Sequence, residues 1–145
     1  MTKTTLKKLL FLLICIGAML SGCRGENKTS WVVTPTFTKA HLTYYGTNEK
    51  FGIIKVNGDS EEAAFPVNQG RHYQLFFLDR SQDFNGKTYR MMATHEKSNK
   101  AIKLYESAIK DNQSGAKFVL KKAGLWKIDI SVDKKPFTSF IIRAK

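Results

Sequence analysis

Trp126-Lys127-Ile128-Asp129-Ile130-Ser131-Val132-Asp133 alternates strictly between apolar and polar side chains. Successive side chains of a β-strand point to opposite faces, so this period of two sets Trp126, Ile128, Ile130 and Val132 on one face and their polar neighbours on the other. One face on a core and one in water is the pattern of an antiparallel sheet. Asp133-Lys134-Lys135-Pro136 then reads as a turn, and Phe137 to Ala144 as a closing strand with Phe140 and Ile142 on one side. Proline at the start of that strand fits an edge, where a missing N–H costs no ladder bond.

Working back from this hairpin, short apolar runs alternate with turn residues. Trp31-Val32-Val33, Leu42 to Tyr45, Phe51 to Val56, His72 to Leu78, Tyr89 to Thr94, Ala101 to Tyr105 and Ala116 to Leu120 read as strands. Asn57-Gly58-Asp59 and Asn85-Gly86 are turn signals. His72 to Leu78 is apolar on both faces and reads as a central strand. Ser107 to Gly115 reads as loop or a short helical turn. Lys100 to Lys110 also carries Ile102, Tyr105 and Ile109 near helical spacing, an α+β alternative. The turn residues Glu96 to Lys100 and the Tyr89 to Thr94 strand before them favour a hairpin. Seven to eight short strands predict an all-β, antiparallel β-sandwich.

The amino terminus has a different character. Lys3, Lys7 and Lys8 precede an unbroken apolar run from Leu9 to Leu20, and Leu20-Ser21-Gly22-Cys23 closes it. Twelve apolar residues are too few for a span, which needs roughly 20, but suit the core of a secretory signal. The tetrapeptide reads as a bacterial lipobox, with Leu20, Ser21 and Gly22 before a Cys23 that takes a diacylglyceryl group. An ordinary signal cut near Cys23 is the alternative. The lipobox reading divides the chain into a signal peptide (1–22), a lipidated cysteine with a polar tether (23–30), and one β domain (31–145). It predicts a cell-membrane location, lipid-anchored on the extracytoplasmic face, with two acyl chains holding firmly where one holds only marginally.

Removing residues 1–22 takes away three lysines and no acid. That leaves 21 Lys+Arg against 12 Asp+Glu, a net charge of +9 over 123 residues. Cys15 and Cys23 are the only cysteines, so the β domain has no disulfide and depends on its core alone. The positive balance favours anionic neighbours such as head groups or wall polymers. The lysines are scattered, without an arginine-rich block, and nucleic acid is not expected as a partner.

Ala123-Gly124-Leu125-Trp126, with the hairpin that follows it, resembles the end of immunoglobulin-like domains on bacterial surfaces. Trp31 with Thr34-Pro35-Thr36-Phe37, then Phe51-Gly52-Ile53-Ile54, then the Gly-Leu-Trp ending resemble a family of small uncharacterised lipoproteins of Bacillus-type Gram-positive bacteria with an immunoglobulin-like domain. That family tends to carry a tryptophan-rich central strand, where this chain has Tyr73, Phe76 and Phe77. The resemblance implies an immunoglobulin-like fold and an envelope location, and no activity.

Candidate chemistry is sparse. His41, His72 and His95 fall on separate segments without metal-ligand spacing, and no Gly-x-Ser-x-Gly is present. Asn57 to Glu61 only loosely resembles a calcium loop. Asp59 with Glu61 or Glu62, and Asp79 with Asp83, are carboxylate pairs in turn-like segments. No catalysis, metal or cofactor is expected. Lys121-Lys122 and Lys134-Lys135 are expected to form a basic rim for an anionic partner, and Tyr44-Tyr45 is a further candidate contact. The expected role is a non-catalytic binding or accessory module for an envelope protein or anionic envelope polymer. The alternative is a structural or regulatory lipoprotein that shields or senses a neighbouring membrane protein.

Overall fold

The computed structural model describes residues 28–145. The lipobox Leu20–Cys23 and the tether as far as residue 27 lie outside the described residues. From Trp31 to Lys145 the chain forms one compact unit. Its nine strands are β1 (Phe37–Lys39), β2 (Leu42–Thr47), β3 (Phe51–Lys55), β4 (Arg71–Phe77), β5 (Thr88–His95), β6 (Ile102–Ala108), β7 (Gln113–Phe118), β8 (Gly124–Val132) and β9 (Lys135–Ala144). All strand pairs are antiparallel, in a five-stranded sheet ordered β1-β2-β3-β4-β7 and a four-stranded sheet ordered β6-β5-β8-β9.

The alternation of Trp126 to Val132 is realised side chain by side chain. Trp126, Ile128, Ile130 and Val132 are buried, while Lys127, Asp129 and Ser131 are only half-buried. Along β4, Tyr73, Leu75 and Phe77 enter the core, and β4 lies between β3 and β7, a central strand as expected. Its apolar second face has a different cause: Phe76 packs edge-on against Tyr44 outside the sandwich. The two sheets share one apolar core. Phe51 of one stacks on Phe140 of the other at 5.7 Å, and Phe77 meets Tyr89 at 5.6 Å. The Tyr89 hydroxyl donates to Gly115 O at 2.9 Å, a further tie between the sheets. Burial pushes that hydroxyl up to about 12.

Several expectations are corrected. There are nine strands among the described residues rather than seven or eight. Trp31 to Val33 is not a strand, and Val32 is one of the most exposed apolar side chains, at 70 %. The segment does approach the free edge of β9: Thr34 N–H donates to Ile141 O at 3.0 Å, and Thr34 Oγ1 accepts from Ile141 N–H at 2.8 Å. The hairpin expected over residues 100–110 does form, as strand β6, and the helical alternative does not; Ser107 to Gly115 contains the tight β6–β7 turn at Asp111-Asn112. Pro136 lies on edge strand β9, beside a register shift at Ile130/Ser131.

Two polar connections carry aromatic plugs. Phe65, from the long β3–β4 connection, closes one end of the core against Tyr45 and Tyr73, at 5.0 and 5.6 Å. Phe84, from the β4–β5 connection, is fully buried against Phe77 and Phe137. The β1–β2 turn places Ala40 (φ 49°) and His41 (φ 66°) in the left-handed region, which costs an L-residue roughly 1–2 kcal/mol.

Leu75→Ala is expected to destabilise the domain by about 2–5 kcal/mol in denaturant unfolding, through lost burial and a residual cavity. Val56→Ala, on an exposed side chain, should stay within about 0.5 kcal/mol. Ala40→Gly should instead raise the unfolding free energy, by about 0.5–1 kcal/mol, because it relieves the left-handed strain.

Candidate functional site

The two lysine pairs do not come together. Lys121-Lys122 precede β8 and Lys134-Lys135 follow it, at opposite ends of a nine-residue strand about 30 Å long. The expected single basic rim is therefore two separate sites. They are separated because both belong to one strand rather than to the matching ends of neighbours.

The first site is held rigidly. Trp126 Nε1–H donates to Lys122 O at 2.9 Å, and His95 Nε2 lies 2.9 Å from Ala123 O. His95 Nδ1 accepts Lys97 N–H at 3.2 Å, so Nε2 carries the proton and donates to the Ala123 carbonyl. The ring is buried, edge-on to Trp126 at 4.9 Å. Gly124 (φ 112°) passes so close that a Cβ there would stand 2.6 Å from Glu96 Oε1. The second site is a two-residue turn with Asp133 (φ 46°) and Lys134 (φ 66°), pinned by Asp133 Oδ1 accepting Thr88 N–H at 3.0 Å.

Beside this turn lies an open cleft of about 310 Å³, lined by Thr88, Tyr89, Arg90, Glu106, Ser131, Asp133 and Lys134. Arg90 Nε bonds Glu106, and that hydrogen bond holds the Glu106 carboxyl below its ordinary range. Two cations face two carboxylates, so the cleft is close to neutral. Ser131 has no histidine beside it, and a serine without a base is a poor nucleophile. The three histidines stay apart: His41 on the β1–β2 turn, His72 exposed on β4, and His95 buried at the end of β5. Among the described residues no three His, Cys, Asp or Glu side chains are grouped to hold a metal.

The Asn57–Glu61 segment already holds a cation of its own. Lys55 Nζ donates to Asp59 O at 3.0 Å, to Ala63 O at 3.3 Å and to Glu62 Oε2 at 2.8 Å. Arg71 Nε bonds the same Glu62 oxygen at 2.8 Å, and a second guanidinium nitrogen bonds Oε1. The ammonium takes the carbonyls and carboxylate that a calcium ion would need. Neither carboxylate pairing of Asp59 forms: Asp59 caps its own loop at Glu61 N–H, and Glu62 serves the two cations. Asp79 likewise binds Ser81 and Gln82 rather than pairing with Asp83. Tyr44 and Tyr45 part across the sheet, Tyr45 facing Phe65 in the core and Tyr44 stacking on Phe37 outside it.

These features define a rigid two-sheet β-sandwich with basic loops at both ends. No protein-family model matches the chain, and no curated protein sequence matches it. Among solved structures, a protein from Bacillus anthracis, provisionally classed as a lipoprotein, is 19 % identical with a TM-score of 0.65. The overlap covers 81 % of this chain and 88 % of that one, and shows a shared fold. A superoxide reductase (neelaredoxin) from Ignicoccus hospitalis is 10 % identical over 66 % of this chain and 79 % of its own, with a TM-score of 0.43. The sensor domain of an anti-sigma factor from Pseudobacteroides cellulosolvens is 12 % identical over 68 % and 97 %, with a TM-score of 0.38. Overlap at those two scores carries no weight.

Hydrogen bonds from Arg71 and then Lys55 lower the Glu62 carboxyl from 4.5 to about 2. A carboxylate whose folded value is depressed stabilises the fold above its unfolded value and ceases to do so as pH falls through the folded one. Glu62→Gln should therefore unfold more easily than wild type at pH 7. The gap should close between about pH 4.5 and 2, measured by thermal unfolding across that range.

Proposed function

We propose that this chain is a lipid-anchored envelope protein whose sandwich works by contact rather than by turnover. The observation that carries this reading is Cys23 directly behind Leu20-Ser21-Gly22 and the apolar run Leu9 to Leu20. The fold shared with the Bacillus anthracis protein supports it. So does the domain's self-sufficiency: a single core, plugged at both ends, serves a described domain that contains no cysteine.

The strand pairing supports an immunoglobulin-like class for this sandwich. Strands β3 to β9 correspond in order to A, B, C, C′, E, F and G. The pairs β4–β7, β5–β8 and β8–β9 then correspond to B–E, C–F and F–G. Strands β1 and β2 extend the first sheet beyond A. Sandwiches of this class make contacts through their loops and faces. Here the partner is an envelope protein or an anionic envelope polymer, met by Lys121-Lys122 at one end of β8 and Lys134-Lys135 at the other.

Intact-mass analysis of the membrane form should give a polypeptide beginning at Cys23 and carrying diacylglycerol. Cys23→Ala should remain an uncleaved precursor or appear in the medium, and a processed, membrane-retained mutant overturns the anchor. Binding of the purified protein to teichoic acid should weaken about tenfold between low and moderate salt. Lys121→Gln/Lys122→Gln and Lys134→Gln/Lys135→Gln should each remove a separate part of it. Affinity unchanged by salt and by both double variants overturns the polymer reading.

A further inference from the structure

Five large apolar side chains stand exposed among the described residues, and four of them, Val32, Val33, Leu42 and Val56, lie between residues 32 and 56. Leu42 is 46 % and Val56 54 % exposed. Alternation along β2 puts Leu42 on the same side as Tyr44, and alternation along β3 puts Val56 on the same side as Gly52 and Ile54. That side is the outer face of the five-stranded sheet, because Ile53 and Leu75 face the core. Phe76 opens onto it opposite Gly52.

The floor of this face is low and aromatic. Tyr44 lies against Gly52, where a Cβ would stand 2.7 Å from the ring, and it packs between Phe37 and Phe76. Its rim is cationic. Lys39 pairs in register with Leu42, and Lys117 with His72. Neither lysine has an ion-pair partner among the described residues. None of the side chains that these registers turn outward is a carboxylate. The opposite sheet differs in bearing carboxylates: its outward Glu106 and Asp129 pair with Arg90 and Lys127, although Lys103 and Arg143 there have no ion-pair partner among the described residues.

An apolar patch rimmed by unpaired ammonium groups, with carboxylates excluded, matches the boundary of an anionic bilayer. Apolar side chains there reach the acyl region while the cations meet phosphate. The chain length agrees. Seven residues lie between Cys23 and Trp31, eight Cα steps that span at most about 28 Å, so a domain anchored at Cys23 stays at the surface. At that effective concentration a patch too weak to bind alone is enough to orient the domain. We propose that the outer face of the five-stranded sheet, with Leu42 and Val56 side by side at one end of it and Lys39 and Lys117 flanking them on the two edge strands, lies on the anionic membrane leaflet. This rests on the anchor reading of Cys23. It leaves the four-stranded sheet and its cleft turned toward the envelope.

The test uses the full-length, processed protein reconstituted into vesicles of phosphatidylcholine with phosphatidylglycerol, and into phosphatidylcholine alone. An environment-sensitive dye is attached at Leu42→Cys, at Val56→Cys, or at Lys103→Cys, on the outer face of the other sheet, as the remote control. Emission at 42 and 56 should shift to the blue in the anionic vesicles, less in the neutral ones, and not at 103. Lys39→Glu with Lys117→Glu should abolish the shift while the protein still floats with vesicles. Flotation without any shift at 42 or 56 overturns the membrane face and leaves the anchor standing. Failure to float, with Cys23 itself open to the dye, overturns the anchor and this proposal with it. A shift in vesicle-free solution at dimer mass, or one that appears only on adding teichoic acid, assigns the face to a second copy or to a polymer instead.

Discussion

Phe77 is where the two sheets are joined. Its ring meets Phe51 from its own sheet, Tyr89 and Phe137 from the other, and Phe84 from a loop, all with centroids between 5.3 and 6.2 Å. Aromatic pairs at such separations bury much apolar area with specific geometry. The described domain contains no cysteine, so this packing has no covalent support. The loops depend on the same core, since Phe84 and Phe65 tie the connections on either side of β4 to it.

Charge is organised around that core by sheet rather than by overall balance. The outward face of the four-stranded sheet carries acids, Glu106 and Asp129, paired with Arg90 and Lys127, while its Lys103 and Arg143 have no ion-pair partner among the described residues; the outward face of the five-stranded sheet carries no carboxylate. Glu62 goes to two internal cations, which fixes the long β3–β4 connection and keeps Arg71 from adding to the free positive charge.

The strands were legible where one face is wet. Trp126 to Val132 alternates in burial as in polarity, because burial on one side is all that an antiparallel edge-to-centre strand requires. The Lys100–Lys110 ambiguity arose because three apolar residues, Ile102, Tyr105 and Ile109, are too few to separate periods of two and 3.6, and pairing with β5 decides it. Trp31 to Val33 misled because β-branched residues favour strands locally, yet the segment meets the edge of β9 only at Thr34 and forms no ladder with it. Phe65 and Phe84 were invisible for a related reason. A lone aromatic in a polar segment has no periodicity, and only the folded loop shows that it plugs an open core.

By itself the sequence determined the antiparallel all-β class, the closing hairpin and the absence of a disulfide, since these follow from local alternation, turn chemistry and residue identity. Only the tertiary structure decided which lysines stand together and which faces lack acid. Lys121-Lys122 and Lys134-Lys135 are close in sequence yet lie at opposite ends of one strand, and Lys39 and Lys117 are remote yet share one sheet face. A strand separates what it connects by about 3.3 Å per residue, whereas strand pairing joins residues without regard to their separation along the chain.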